Sequence, residues 1–203
     1  MTMNKVADSG IIPGSFLLAQ PALNGSYFSD KIVFVAECGG QSGSWGLVIN
    51  NPTHIPLDEV FSRNPNLMRH ATPLDIAIER PLHTFFFGGP VQGTAPFQNL
   101  SVCIIEAGKS VFRGSTEISR GVFISRIPLS MEIPVSMLIS PQNKTARMFF
   151  GYSGWASGQL EREILDGAWE VSNIFPYDVF SKSRDDIPVT ANKFRECYEK
   201  FRA

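Results

Sequence analysis

The segment Met148–Trp169, with the sequence MFFGYSGWASGQLEREILDGAW, predicts a strand, a glycine-rich turn and an amphipathic helix in succession. The apolar residues 148–150 are typical of the end of a buried strand. Three glycines then allow backbone conformations that a Cβ would block: Gly151, Gly154 and Gly158. Ser157 is a suitable N-cap for the helix. The predicted apolar face of that helix consists of Leu160, Ile164, Leu165 and Ala168.

Length and composition indicate one globular domain. The 203 residues suit a single domain with a sizeable core, and 43% hydrophobic with 18% charged residues excludes a disordered chain. A net charge of −1 argues against a surface built as a whole for DNA. No apolar run reaches the roughly 20 residues of a membrane helix, and residues 1–10 lack a signal-peptide core. We therefore expect a cytoplasmic protein without a membrane segment, with residues 1–13 as a flexible leader and residues 14–203 as one domain.

Neither the cysteines nor the histidines predict a metal or cofactor site. The cysteines are odd in number and form no CxxC pair: Cys38, Cys103 and Cys197. The histidines show neither HxH nor HxxxH spacing: His54, His70 and His83. Cys103 lies in an apolar run and is most simply a small buried residue. We expect no metal, no cofactor and no disulfide framework.

Apolar runs separated by turn residues predict strands along most of the chain. The predicted strands cover residues 15–19, 31–36, 45–50, 83–87, 100–105, 121–124, 146–150 and 170–174. The second and third should form an antiparallel hairpin with a long loop. Besides the helix at 158–168, helical segments are predicted after Pro56, at 177–182 and at 189–201, whereas three prolines within residues 126–141 favour loops and an edge strand. Because strands and helices do not alternate regularly, the pattern favours an α+β fold over a doubly wound parallel sheet.

Four sequence blocks occur in order between residues 14 and 169. They are GSFLLAQPAL at 14–23 with Phe28, GLVINNP at 46–52, FGGPV at 87–91, and GYSGW at 151–155 with GQLE at 158–161 and Trp169. Through these blocks the chain resembles the AlgH/YqgE family of small bacterial proteins. The last block is the most specific, because its glycine spacing, Trp155 and the sequence Gln159-Leu160-Glu161 occur together.

The resemblance implies a fold but no established reaction. It implies a single α+β domain with a mostly antiparallel sheet curled into a partly open barrel and helices packed outside. One member is linked to the regulation of alginate synthesis, from which the label of transcriptional regulator comes. The chain departs from the family at Ala36-Glu37-Cys38, where many members carry Cys-Glu-His. A role of the family cysteine therefore does not transfer to Ala36.

Cys38 is the candidate nucleophile of this region. It lies two positions after Ala36, so on a regular strand both side chains would face the same side. A reactive thiol next to Glu37 would need a base such as His54 or His83 and a nearby positive charge. The local sequence supplies no positive charge. The favoured interpretation is an unreactive cysteine at the end of a strand.

The carboxylates after the glycine-rich turn form no catalytic pair. Glu161 and Glu163 point about 200° apart on a helix, because successive residues differ by about 100°. Their simplest role is to complement the helix dipole in contact with solvent. The turn Gly151–Gly158 lies where a phosphate could bind, but it carries no phosphate-binding motif. The favoured interpretation is a structural turn, with Trp155 packed in the core or at its rim and Gln159 bonded to loop backbone.

A binding surface is nevertheless predicted where this turn meets the loop after the second predicted strand. Its candidate residues are Glu37, Cys38, Asn50, Gly89, Trp155, Gln159 and Glu161. The first hypothesis is a non-enzymatic regulatory or binding protein with an unknown protein or small-molecule partner. The alternatives are a small-molecule or hydrolytic enzyme with its site near Gly151–Gln159, and a DNA-binding regulator. Nucleic acid has little support, because the basic residues show no helix-turn-helix pattern and no alternation with aromatic residues. A pocket in which Glu37, Cys38 or Glu161 converge would favour the enzyme.

Overall fold

A computed structural model describes residues 10–53, 85–91, 101–108, 114–128, 147–182 and 186–198. These residues form two five-stranded sheets. The first sheet has the order β10-β1-β2-β3-β9 and the second β4-β8-β5-β7-β6. The strands are β1 Phe16–Ala19, β2 Ile32–Glu37, β3 Ser44–Val48, β4 Phe85–Phe87, β5 Ser101–Ala107, β6 Thr116–Ser119, β7 Val122–Pro128, β8 Arg147–Phe150, β9 Ser153–Trp155 and β10 Trp169–Ser172.

The strand pairings confirm the α+β class and the predicted β2–β3 hairpin. All neighbouring strands are antiparallel except β4 and β8, which are parallel. Residues 126–141 were predicted to hold loops and an edge strand. The described residues 126–128 instead belong to β7, an inner strand between β5 and β6, which continues to Pro128 opposite Ser101. A proline is tolerated there because it ends the strand. The predictions for residues 54–84 and 129–146, including all three histidines, lie outside the described residues.

The first sheet is covered on both faces, which explains why β2 is apolar from Ile32 to Ala36. Ile32 and Phe34 face an inter-sheet core, whereas Val33 and Val35 face the opposite side. The inter-sheet core is the buried cluster that includes Phe16, Phe34, Leu47, Phe86, Ile105, Phe149, Phe180 and Phe194. The second cluster, the outer core, comprises Leu17, Ala19, Val33, Val35, Val48, Trp155, Leu160 and Trp169. A strand buried on both faces loses the alternation that marks a half-exposed strand.

The two sheets are joined at one corner around Gly88. The Gly88 N–H donates to the Phe150 carbonyl of the second sheet, and the Val48 N–H of the first sheet donates to the Gly88 carbonyl, both at 2.8 Å. A Cβ on Gly89 would lie 2.2 Å from the Tyr152 carbonyl carbon, so only glycine allows this approach of two backbones. Within the described residues the sheets do not close into a barrel, and the joined corner corresponds to the partly open arrangement expected from the family.

The segment 148–169 carries the chain across this corner. After β8 it turns at Gly151, where φ is +68°, and enters β9 at the edge of the first sheet. Helix α1, Gln159–Leu165, then leads to β10 at the opposite edge of the same sheet. Leu160 is fully buried in the outer core. The segment therefore links both sheets and both edges of the first one.

Two local predictions for α1 were wrong. Its N-cap position is Gly158 in a left-handed conformation, while the Ser157 hydroxyl donates to the Gly40 carbonyl at 2.9 Å. Leu165 is 58% exposed, because α1 ends there and the chain turns toward β10. Ser157 is thus used in a contact between loops rather than as a cap.

The C-terminal helices close the far side of the inter-sheet core. They are α2 Pro176–Phe180 and α3 Ala191–Tyr198. The fully buried Arg147 of β8 donates to the Val179 carbonyl at 3.3 Å and to the Lys182 carbonyl at 3.1 Å. These bonds attach the end of α2 to the second sheet. Within the described part of the chain, no helix has the length and apolar character needed to cross a membrane.

Candidate functional site

A cleft of about 440 Å³ opens at the rim of the inter-sheet core. It lies between β2, β3 and β9 of the first sheet and β7 of the second. Its lining consists of Glu37, Ser42, Gly43, Ser44, Trp45, Val91, Arg126, Tyr152, Gly154 and Trp155. Two sequence-predicted residues, Glu37 and Trp155, line this cleft, and Gly89 adjoins it through the backbone of Tyr152.

A bulge in β2 determines which side chains reach the cleft. The β2–β3 register shifts between Val35 and Glu37, so that Glu37 lies opposite Trp45. The Trp45 Nε1–H donates to Glu37 Oε2 at 3.2 Å. Ala36 packs in the inter-sheet core, whereas Cys38 packs against the outer core. Ala36 and Cys38 therefore face different sides. The same-side relation applied only to a regular strand, whereas β2 carries a bulge and ends at Glu37, before Cys38.

Arg126 supplies the positive charge of the cleft. It lies directly opposite Cys103 in the β5–β7 register, and Cys103 belongs to the inter-sheet core. The Arg126 guanidinium carbon lies 4.8 Å from the centre of the Trp45 ring and 5.7 Å from that of Tyr152. Burial raises the pKa of the Cys103 thiol to about 11, although the nearby Arg126 charge acts in the opposite direction. The arginine thus rests on an aromatic surface at the open edge of the core.

The glycine-rich loop after β2 is held against the turn after β9. Ser44 Oγ accepts the Gly39 N–H at 3.1 Å, and the Ser157 hydroxyl binds the Gly40 carbonyl. At Gly43, where φ is +85°, a Cβ would lie 2.2 Å from the Trp155 carbonyl oxygen. Only glycine fits such a contact in that conformation. One wall of the cleft is therefore ordered by contacts between segments that are more than 100 residues apart.

Cys38 and Glu161 lie near each other but are not part of the cleft lining. The Cys38 thiol is half-buried and donates to the Ile11 carbonyl at an S···O distance of 3.7 Å. Burial raises the pKa of this thiol, and the charges of Glu161 and Glu37 raise it further. Glu161 is 7% exposed, and its Oε2 has no hydrogen-bond partner in the described part of the chain. The Glu161 side chain is therefore not the solvated group that the sequence predicted.

Cys38 should react slowly with iodoacetamide, because the raised pKa leaves little thiolate at neutral pH. At pH 8 we expect labelling of Cys38 to be about tenfold slower than that of the exposed Cys197. Glu161→Gln should accelerate labelling of Cys38, since it removes a charge that raises the pKa of the thiol. Mass spectrometry of the two peptides measures both rates, and Cys197 serves as the internal reference. Faster labelling of Cys38 than of Cys197 would contradict this assignment.

Glu163 was predicted to lie in solvent, but its carboxylate accepts three hydrogen bonds next to the outer core. Its Oε2 accepts the indole N–H groups of Trp155 at 2.9 Å and Trp169 at 2.8 Å. Its Oε1 accepts the Gln159 Nε2–H at 2.9 Å. The assumed role in dipole complementarity alone is therefore wrong for Glu163. No local pattern shows this, because the two indoles belong to strands at opposite edges of the first sheet.

The side-chain amides of Gln159 and Asn50 are both hydrogen-bonded to backbone or to neighbouring side chains. Gln159 Oε1 accepts the Ala156 N–H at 3.0 Å, as predicted for a contact with loop backbone. Asn50 Oδ1 accepts the Ile32 N–H, and its Nδ2 donates to the carbonyls of Asp30 and Val189. Neither residue belongs to the lining of the cleft. Asn50 instead connects the start of β2 to the segment before α3.

The sequence did not predict Trp45 and Arg126, which supply an aromatic surface and the positive charge of the cleft. Arg126 is one of the basic residues that show no helix-turn-helix pattern and no alternation with aromatic residues in the sequence. Its contact with Trp45 depends on how the two sheets pack, which sequence spacing does not reveal. A search of the described residues finds no group of three or more His, Cys, Asp or Glu side chains that could hold a metal ion.

The sequence and the fold are similar to those of known proteins. The sequence profile of the AlgH-like family matches residues 16–194, and the chain therefore belongs to this family. A UPF0301 protein of Anaeromyxobacter is 30% identical over 82% of this chain and 78% of the relative. A UPF0301 protein of Vibrio parahaemolyticus is 24% identical over 91% of this chain and 89% of the relative. The predicted family is confirmed, and these names specify no activity.

Two solved structures share the fold. The solution structure of the AlgH protein from Pseudomonas aeruginosa is 23% identical and covers 97% of this chain and 90% of its own, with a TM-score of 0.63. The crystal structure of a protein from Corynebacterium diphtheriae is 21% identical and covers 91% of this chain and 86% of its own, with a TM-score of 0.54. At these identities the likeness establishes the fold alone.

Proposed function

We propose that this protein is a non-enzymatic binding protein whose ligand occupies the cleft between the two sheets. The observation that carries the proposal is the Trp45–Arg126 contact at the rim of the core. It places an exposed cation and two aromatic rings around a space large enough for a small molecule. Any regulatory role of the protein in the cytoplasm would follow from occupancy of this cleft.

The separation of the candidate reactive groups favours binding over catalysis. Only Glu37 of the three residues expected to converge in an enzyme lines the cleft. Cys38 packs against the outer core, and its thiol has a raised pKa. A nucleophile requires a base or a positive charge within reach, and Cys38 has carboxylates nearby instead. The same geometry gives no support to DNA binding, since Arg126, the one basic residue of the cleft lining, rests on aromatic rings.

The proposal is tested by NMR spectroscopy of the three tryptophan indoles. In protein labelled with ¹⁵N, a bound small molecule should shift the Trp45 indole resonance, because Trp45 lines the cleft. The Trp169 indole, which donates to Glu163 away from the cleft, is the internal reference. A mixture of amino acids, nucleotides, sugars and organic acids provides the ligands. We expect a saturable shift at Trp45 with Trp169 unchanged.

Recovery of the ligand distinguishes a binding protein from an enzyme. After prolonged incubation, the compound that shifts Trp45 should be recovered chemically unchanged. Turnover of that compound, abolished by Glu37→Gln, would instead establish an enzyme. If every compound leaves the Trp45 resonance in place, the cleft is not a small-molecule site.

A further inference from the structure

Two opposite charges line the cleft without forming an ion pair with each other. Glu37 lies at the end of β2 and Arg126 in β7, and both side chains are exposed. Neither forms a salt bridge with any residue in the described ranges, although each contacts Trp45. Exposed charges gain little free energy from pairing, and here each charged group contacts Trp45 instead.

Trp45 holds the two charges by different parts of its ring system. Its N–H edge donates to Glu37 Oε2, which leaves the second carboxylate oxygen available to a ligand. Its π face carries the Arg126 guanidinium, at 4.8 Å from the ring centre. A cation–π contact does not use the guanidinium N–H donors, and no acceptor in the described ranges binds those of Arg126, so they can bind a carboxylate. The indole thus orients a hydrogen-bond acceptor and a set of donors toward one space.

Resting on the proposed function, we infer that the ligand is a small zwitterion that carries an ammonium group and a carboxylate, as in an amino acid or a short peptide. The ammonium group binds the Glu37 carboxylate, and the ligand carboxylate binds the Arg126 guanidinium. The Trp45 and Tyr152 rings and the Val91 side chain cover the apolar part of the molecule. The volume of about 440 Å³ accommodates ligands of this size.

Charge complementarity distinguishes zwitterions from anionic, cationic and neutral ligands. A phosphate or dicarboxylate would meet the Glu37 charge, and a polyamine would meet the Arg126 guanidinium. Repulsion within the site rejects a ligand as effectively as missing contacts do. A neutral sugar would leave both charges without a partner in a partly enclosed space, which also costs affinity.

The test compares a zwitterion with analogues that lack one charge. The twenty protein amino acids and their glycyl dipeptides are first screened by the Trp45 indole shift. The strongest binder is then compared with its deaminated and decarboxylated forms, which for phenylalanine are 3-phenylpropanoate and 2-phenylethylamine. Loss of one charge-assisted contact should weaken binding about tenfold for either analogue.

Two variants assign the charges to their partners. Glu37→Gln should weaken binding of phenylalanine about tenfold and leave 3-phenylpropanoate unaffected, because that compound has no ammonium group. Arg126→Gln should weaken binding of phenylalanine to the same extent and leave 2-phenylethylamine unaffected. Glu117→Gln and Arg120→Gln are matched controls, since both residues are exposed on the β6–β7 hairpin and do not line the cleft.

The outcomes separate the two proposals. If 3-phenylpropanoate binds as tightly as phenylalanine and Glu37→Gln has no effect, the zwitterion assignment is wrong while the cleft stays a binding site. The same follows if only nucleotides or sugars shift Trp45. If no compound of either screen shifts Trp45, both proposals fail. The analogue comparison uses the wild-type protein, so it decides the question even if a variant does not fold.

Discussion

Replacement of Trp155 by alanine should lower the free energy of unfolding by about 3–5 kcal/mol, as for other large-to-small changes in a core. Trp155 is 5% exposed, and its ring centre lies 6.2 Å from that of Phe28 and 6.1 Å from that of Trp169. Removal of the indole leaves a cavity under α1 and takes one donor from Glu163. Urea denaturation should show a lower midpoint with an unchanged slope.

The control for Trp155→Ala is an aromatic residue on the adjoining surface. Tyr27 is 39% exposed and contacts Phe28 edge-on at 5.2 Å. Tyr27→Ala should cost about 1 kcal/mol or less, because Tyr27 lies at the surface and not in the core. An unchanged melting temperature of Trp155→Ala, together with loss of the Trp45 response to ligand, would show that Trp155 belongs to an exposed interface.

Glu163→Ala should lower the free energy of unfolding by about 3 kcal/mol, because it leaves three donors without their acceptor at about 1–3 kcal/mol each when buried. The donors are the indole N–H groups of Trp155 and Trp169 and the Gln159 amide. We place the loss near the lower end of the sum, since Glu163 is only partly buried and water reaches some of these groups. The Trp155 and Trp169 indole resonances should move together in this variant.

A double-mutant cycle separates the contribution of the Glu163 hydrogen bonds from that of side-chain packing. Since Trp155 and Glu163 share a hydrogen bond, Trp155→Ala combined with Glu163→Ala should cost about 1 kcal/mol less than the sum of the single changes. Glu163→Gln, which keeps one acceptor for the indoles, should lie between the wild type and Glu163→Ala. Fully additive effects in the cycle would refute the role of Glu163 as a shared acceptor.

Contacts close in sequence were largely predictable. The β2–β3 hairpin, the strand that ends at Phe150 and the bond from Gln159 to loop backbone all follow from patterns within a few residues. The N-cap of α1 was missed because Ser157 contacts Gly40, a partner 117 positions away. The contact with Gly40 uses the Ser157 hydroxyl, which is therefore not the cap of α1.

The candidate site was only partly predictable for the same reason. Glu37 and Trp155 line the cleft, and each adjoins a glycine-rich turn that the sequence shows. The side on which Cys38 packs could not be predicted, because it follows the end of β2 and a bulge that depends on the register with β3. Arg126 of β7 contacts Trp45 of β3, and Glu163 of α1 accepts hydrogen bonds from residues of β9 and β10. No periodicity within β7 or α1 indicates these contacts.

The sequence of residues 148–169 did not predict strand β9, which lies within the expected glycine-rich turn. It did predict the strand that ends at Phe150 and helix α1, and the four sequence blocks together indicated the family. These features depend on backbone conformation and on the spacing of apolar side chains, both of which are properties of a short segment. Tertiary structure alone decided that the segment spans two sheets, that Glu163 binds two indoles, and that Arg126 faces Trp45 across a cleft. Such contacts depend on sheet register and on the packing of strands from distant parts of the chain, where a shift of one residue turns a side chain to the opposite face.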